Sequence, residues 1–435
     1  MYVKNYIESN NPAFQQIKNN PKEYIDYKKR VNKIINLSTK EKSVDRCNLY
    51  LESYFSLIKD NHSGIDMNVK RLPIDLKSQS AIDSFKLTKT YQSFEKLKID
   101  TTSLIAELKS KPINDIEGIY TNGGSLYFGI TKTKGNKYKG IILRKTSLVD
   151  VGHVLIDIKK IDNTTFDFTL HYGLLAVNFQ NIYKKAQFEN GTIPEFGFSK
   201  TSLELAKDVK PYEFREIDSL TNYLRISSLE VNLKQELNSF YQSIDSMVIA
   251  KPYLIIDLRD NGGGSEESYF NLMKYVYTKP FTVDLVEVWV SPDNIRKYEN
   301  DGHSPELIER MKNATPFTFI PQTLNPVTTW ETKGTVNPKK IAILFNRKTA
   351  SSAEAMILYG MQSDKVITMG ENSGGFLGYG NVKNEMTPCG NYIIRCTTTK
   401  YKNNSKYEFV GISPQIKLND SQDWIKAAKV ELEKN

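Results

Sequence analysis

Two short apolar runs, each broken off at a turn, restrict the fold of this chain more than any other feature. They are Tyr253-Leu-Ile-Ile-Asp-Leu-Arg-Asp-Asn-Gly-Gly-Gly264 and Ile341-Ala-Ile-Leu-Phe-Asn-Arg-Lys-Thr-Ala-Ser-Ser-Ala-Glu354. Compact apolar runs bounded by turn signals read as strands buried on both faces, and such strands belong to layered α/β cores. The surrounding pattern agrees. Asn222-Tyr-Leu-Arg-Ile226 and Lys365-Val-Ile-Thr-Met369 read as further strands. Val231 to Val248, Glu266 to Tyr277 and Ser351 to about Gln362 read as helices, so the two types alternate from Tyr212 onward.

Upstream the texture changes twice. From Pro21 to about Asp60 the pattern is helical, with apolar steps of three and four in Val44, Cys47, Leu51, Tyr54, Phe55 and Ile58. Asn61-His62-Ser63-Gly64 is the expected helix stop, because glycine suits that position. A second helical stretch is expected to about Leu108. Between Gly118 and about Phe198, short alternating runs (Ser125–Ile130, Tyr138–Leu143, His153–Ile158, Thr165–Leu170) are broken by turn residues. With hairpin signals at Asn122-Gly123 and Gly135-Asn136, they predict a small antiparallel barrel or sandwich. The expected organisation is an N-terminal helical segment over 1–111, an antiparallel β domain over 112–205 and an α/β core over 206–435. Two or three domains suit the length of 435 residues.

Composition removes several function classes. The net charge of +9 comes from 59 basic and 50 acidic residues, with lysines scattered rather than striped, which reads as a solvated surface and not a nucleic-acid face. No apolar run is long enough for a membrane span, and Met1-Tyr-Val-Lys-Asn-Tyr6 carries no apolar stretch of a secretory signal. Three cysteines, Cys47, Cys389 and Cys396, exclude a disulfide framework. Cys389 and Cys396 flank a turn at Gly390-Asn391 and read as two ordinary buried thiols. No His/Cys spacing suggests a metal site, and nothing in the residues requires a cofactor.

The two turns carry candidate chemistry. Ser351 would open a helix, where orphan amides and the dipole favour a developing anion. Ser351-Ser-Ala-Glu354 is equally a capping box, with Ser351 merely capping and Glu354 reaching back. Asp260-Asn-Gly-Gly-Gly264 leaves backbone amides bare, as an oxyanion hole needs, or is a plain tight turn. A phosphate cradle is disfavoured, since neither G-x-G-x-x-G nor a Walker lysine is present. Of the four histidines, His62 is the best candidate base. His153 and His171 sit in alternating strands, and His303 in a polar loop. Glu408, in Tyr407-Glu-Phe-Val-Gly411, offers a carboxylate to orient an imidazole or is a surface strand residue.

Four motifs occur in order: Asp257-Leu-Arg-Asp-Asn-Gly-Gly-Gly264, Thr349-Ala-Ser-Ser-Ala-Glu354, Met369-Gly-Glu-Asn-Ser-Gly-Gly375 and Gly411-Ile-Ser-Pro-Gln-Ile416. Together they resemble the tail-specific (C-terminal processing) serine peptidases, whose relatives include the tricorn protease core and retinoid-binding repeats. The resemblance covers about Tyr212 to Leu418 plus the His62 segment. It implies a core of the crotonase and Clp-protease kind and places the nucleophile on Ser351. Oxyanion donors would be the amides of Gly263 or Gly264 and of Ser352. The processing branch uses a general-base lysine, but Phe376 stands at that position here. The tricorn-like branch uses His and Glu instead, which fall on His62 and Glu408, and its extra hydroxyl would fall on Ser63. No PDZ domain is evident, and the 112–205 region is expected to shape access as a lipocalin-like insert. The resemblance implies peptide or protein substrates and a periplasmic or extracellular location. A non-catalytic ligand- or peptide-binding homologue is the alternative, since retinoid-binding relatives use the scaffold that way.

Overall fold

Five parallel strands and one antiparallel edge form the central sheet, in the order Tyr212–Glu216, Thr221–Ile226, Tyr253–Asp257, Lys340–Phe345, Val366–Gly370, Ile416–Lys417. This computed structural model describes residues 1–122, 126–201, 210–325, 328–419 and 421–434. The two apolar runs are the central strands, and their side chains alternate between two hydrophobic layers. Leu254, Ile256, Ile341, Ile343 and Phe345 pack with the helices Lys234–Ala250 and Ser352–Gly360. Ile255, Ala342 and Leu344 pack on the other side with Trp424 and Ala428 of the helix Trp424–Leu432. Burial on both faces is why these strands show no polar alternation.

The eight-stranded antiparallel sheet runs Ile182–Gln187, Thr165–Leu170, Val154–Lys160, Lys137–Ile142, Tyr127–Lys132, Gly118–Thr121, Phe198–Lys200, Thr192–Ile193. It curls into a nearly closed barrel whose interior is filled by Tyr120, Phe128, Ile130, Ile156, Phe166 and Phe168, among others. Gly135 turns the second hairpin with φ +62°. Gly123 of the first hairpin signal, Ser125 and the expected boundary at 205/206 lie outside the described residues. Among the described residues, an ion pair joins the barrel to the core, Lys348 Nζ to Glu189 at 3.0 Å.

The N-terminal segment is helical, as Tyr2–Asn10, Pro12–Asn19, Pro21–Ser38 and Cys47–Phe55. Asn11-Pro12 and Asn20-Pro21 start two of these helices. Each asparagine side chain accepts an amide of the first turn, and each proline takes the position that needs no donor. This segment shares one apolar cluster with Tyr379, Ile394 and Cys396 from the far end of the chain.

Four expectations need correction. The helix carrying Cys47 ends at Phe55, and Gly64 opens a strand, Gly64–Met67, paired antiparallel with Tyr392–Cys396. A Cβ at Gly64 would lie 2.6 Å from the Arg395 guanidinium, so a side chain there would push that group aside. The stretch towards Leu108 is three short helices, Gln79–Lys86, Lys89–Gln92 and Thr101–Lys109. Glu266 to Tyr277 forms two 3-10 turns and one α turn, Met273–Val276, because its side chains are buried in several directions at once. Cys396 is buried in its strand as expected, whereas Cys389 is exposed in the turn, so only one of the two thiols is buried.

Candidate active site

Ser351 follows the strand Lys340–Phe345 across a turn that is laced to the glycine turn. Asn346 Nδ2 donates to Asp260 Oδ1 at 3.0 Å, Asn346 Oδ1 accepts the Asp260 amide at 3.0 Å, and Thr349 Oγ1 donates to the Leu258 carbonyl at 2.8 Å. An ordinary N-cap residue is extended. Ser351 instead has φ +57° and ψ −123°, a region that costs a side-chain-bearing residue roughly 1–3 kcal/mol. The fully buried Glu354 helps hold it there. Its carboxylate accepts the Ser351 amide at 2.8 Å, the Ser373 hydroxyl at 2.5 Å and the amides of Gly375 and Phe376 at 2.8 Å each. The expected reach-back of Glu354 is present, but a strained serine is more than a cap.

His62 is brought to this serine from 289 residues away, with Nε2 at 3.2 Å from Ser351 Oγ. Its loop is built on the buried Asp60, which accepts the His62 amide at 2.9 Å, the Ser63 hydroxyl at 2.5 Å, Thr397 Oγ1 at 2.5 Å and Asn11 Nδ2 at 3.0 Å. Arg395 donates to the His62 carbonyl at 3.1 Å, and the Phe376 ring stands edge-on to the imidazole at 5.2 Å. Burial holds the imidazole below its ordinary value, opposed by the Asp60 charge and assisted by Arg395. A neutral ring is the form a general base requires.

Glu408 is near but does not hold the ring. It follows a 3-10 turn, Asn404–Tyr407, and accepts the amides of Asn61 and Gly378 at 2.7 Å each. Asn61 Nδ2 also donates to the Gly375 carbonyl at 2.8 Å, so the loop before His62 is stitched to the core. His62 Nδ1 is buried and has no hydrogen-bond partner among the described residues. Burial, against the two amides, pushes the Glu408 carboxyl up to about 7. Ser63 is likewise placed away from an accessory role. Its hydroxyl donates to Asp60 and accepts Asn11 Nδ2 at 2.9 Å and the Thr397 amide at 3.1 Å.

Gly263 lies against the serine, where a Cβ would be 2.6 Å from the Ala350 carbonyl oxygen and 2.8 Å from Ser351 Cβ. With φ at +94° the position excludes side chains twice over. Its amide does not face outward, however, because it donates to Asn261 Oδ1 at 2.9 Å. The amides of Gly264 and Ser352 have no acceptor among the described residues. Asp60, Asn61 and Asn261 escaped sequence reasoning. Only Asp60, two residues before His62 and able to accept its amide in an Asx turn, left a local signal.

Residues 221–418 match the sequence model of Peptidase family S41. This part of the chain is similar to peptidase family S41. The fold described above is similar to that of a solved protease structure. Mature CPAF complexed with lactacystin has a TM-score of 0.50 at 12% identity, covering 99% of this chain and 95% of that one. The photosystem II D1 C-terminal processing protease has a TM-score of 0.39 at 13% identity, over 99% and 95% of the two chains. A lipoprotein from Streptococcus agalactiae has a TM-score of 0.31 at 21% identity, over 51% and 71%. No curated protein matches the chain. The S41 segment contains Ser351, Glu354, Gly264 and Glu408, whereas His62 lies outside it.

Proposed function

We propose that this chain hydrolyses peptide bonds of polypeptide substrates, with Ser351 as nucleophile and His62 as general base. The 3.2 Å contact between His62 Nε2 and the hydroxyl of a strained Ser351 carries the reading. Such a backbone exposes a nucleophile at the head of its helix. Ser351 Oγ adds to the substrate carbonyl carbon while His62 Nε2 takes its proton. The oxyanion is received by the amides of Gly264 and Ser352, each donor being worth roughly 3 kcal/mol. Collapse expels the amine, which takes the proton from His62 and leaves an ester on Ser351. Water, deprotonated by His62, then releases the acid.

In this scheme Glu408 acts through the Asn61 backbone and not on the ring itself, and Phe376 fills the position of the processing branch's lysine. The unpartnered Nδ1 of His62 favours the second reading, a binding homologue without turnover. One experiment separates them. A fluorophosphonate probe should label Ser351, and Ser351→Ala should lose both labelling and hydrolysis of a denatured protein substrate. An unlabelled wild-type chain would refute the peptidase and leave the binder.

A further inference from the structure

A general base of this kind is usually held and supported by a carboxylate. Glu408 meets the Asn61 amide instead, and His62 Nδ1 has no hydrogen-bond partner among the described residues. Asp60 has the geometry for the role. It is buried and accepts five hydrogen bonds. Oδ1 takes the His62 amide at 2.9 Å and the Ser63 amide at 3.3 Å. Oδ2 takes Ser63 Oγ and Thr397 Oγ1 at 2.5 Å each and Asn11 Nδ2 at 3.0 Å. Both hydroxyls accept elsewhere, Ser63 Oγ from the Thr397 amide at 3.1 Å and Thr397 Oγ1 from Asn11 Nδ2 at 3.2 Å, so their protons are free for Asp60. Five donors fix Asp60 as the acceptor, the form of a carboxyl that carries the charge.

All five donors are neutral, and the Arg395 guanidinium beside this loop pairs with Asp66 at 2.8 Å. The Asp60 charge is therefore left uncancelled in a buried loop, where charges act strongly on one another. Asn11 clamps it from the joint between the helices Tyr2–Asn10 and Pro12–Asn19. Its Oδ1 caps the second helix by accepting the Phe14 amide at 3.0 Å, while its Nδ2 faces Asp60. Other ionisable groups around the loop suit the role less. Glu354 is committed to the amides of Ser351, Gly375 and Phe376. Burial pushes the Glu408 carboxyl up to about 7 and holds His62 below its ordinary value, so Glu408 is mostly neutral where His62 gains its proton. Burial likewise raises the Cys396 thiol and the Tyr379 hydroxyl, which stay neutral. We infer that Asp60 is the positioning residue of the base. It fixes the loop that presents His62 to Ser351, and its buried charge favours the imidazolium formed when Ser351 Oγ gives up its proton. The inference rests on the peptidase reading for the use made of that proton.

The test reads charge and placement separately. The midpoint of the His62 ring signal is followed by NMR titration on the Ser351→Ala chain, the signal being assigned by its loss on adding His62→Gln. Adding Asp60→Asn should lower that midpoint by at least about 0.5 in pH, because a nearby negative charge has gone. Adding Glu408→Gln should move it less. An unmoved midpoint in a folded Asp60→Asn chain, or a larger move with Glu408→Gln, would overturn the assignment. With Ser351 in place, Asp60→Asn should lower kcat at least about tenfold and leave KM within about twofold. An unchanged kcat would equally overturn it. Where Asp60→Asn loses its folded circular dichroism spectrum, Thr397→Val takes its place, removing one donor and retaining the charge. Exchange of the His62 amide should then quicken at least about fivefold, and an unchanged rate would refute the clamp. A wild-type chain that hydrolyses no polypeptide refutes the peptidase alone, since the NMR comparison needs no turnover.

Discussion

The backbone of Ser351 makes a prediction that its hydroxyl does not. At φ +57° and ψ −123° the residue occupies a region in which a Cβ costs roughly 1–3 kcal/mol. Ser351→Ala and Ser351→Gly both delete the hydroxyl and its contact with His62, so the difference between them isolates the backbone. Glycine escapes the strain but gives up about 0.5–1 kcal/mol through its freer unfolded chain. The glycine variant should therefore be the more stable of the two by about 1 kcal/mol. In a domain the size of this core that is a rise of roughly 2–4 °C in Tm. Calorimetric melting of the two variants at one pH reads it directly, and both should be inactive. A glycine variant that melts at or below the alanine variant would show that Ser351 is unstrained, and the argument from its backbone would fall.

Two further predictions concern titration. Because burial lowers the His62 value, the neutral base persists to lower pH, and the acid limb of kcat/KM should fall below about pH 6.5. A limb above that value would contradict the burial of His62, and His62→Gln should reduce kcat/KM at least about 1,000-fold. For Glu408 the folded value of about 7 exceeds the ordinary 4.5, so its contribution is fully present below the lower value and lost as pH rises through the higher. Linkage gives a loss of about 2.5 kcal/mol between about pH 5 and about pH 8 that Glu408→Gln should lack. Parallel urea titrations at the two pH values compare the chains, and equal pH slopes would refute the shift.

Much of the fold was legible because burial writes itself into the sequence. Ile255 and Ile256 face opposite layers, so the strand Tyr253–Asp257 reads as a continuous apolar run. The barrel strands alternate because one face is inside. The misjudged segments are those where burial has no single direction. Tyr269, Leu272, Met273, Tyr275 and Val276 are all fully buried, and the turns that hold them mimic a helical spacing. In the site, residue types indicated the participants Ser351 and His62, since helix heads and histidines are visible one at a time. Partners were not legible. Whether the Gly263 amide faces a substrate or the Asn261 side chain depends on one local rotation, and whether Glu408 meets a ring or an amide depends on placement at the ångström scale.

The pairing of Gly64–Met67 with Tyr392–Cys396 has a consequence for the life of the molecule before it is complete. His62 is synthesised early, yet its loop is anchored through Asp60 to Thr397 and through Asn61 to Glu408. A ribosome-bound chain that already displays Ser351 still lacks these later anchors. Assembly of the His62 loop beside Ser351 therefore waits until Thr397 and Glu408 have been made.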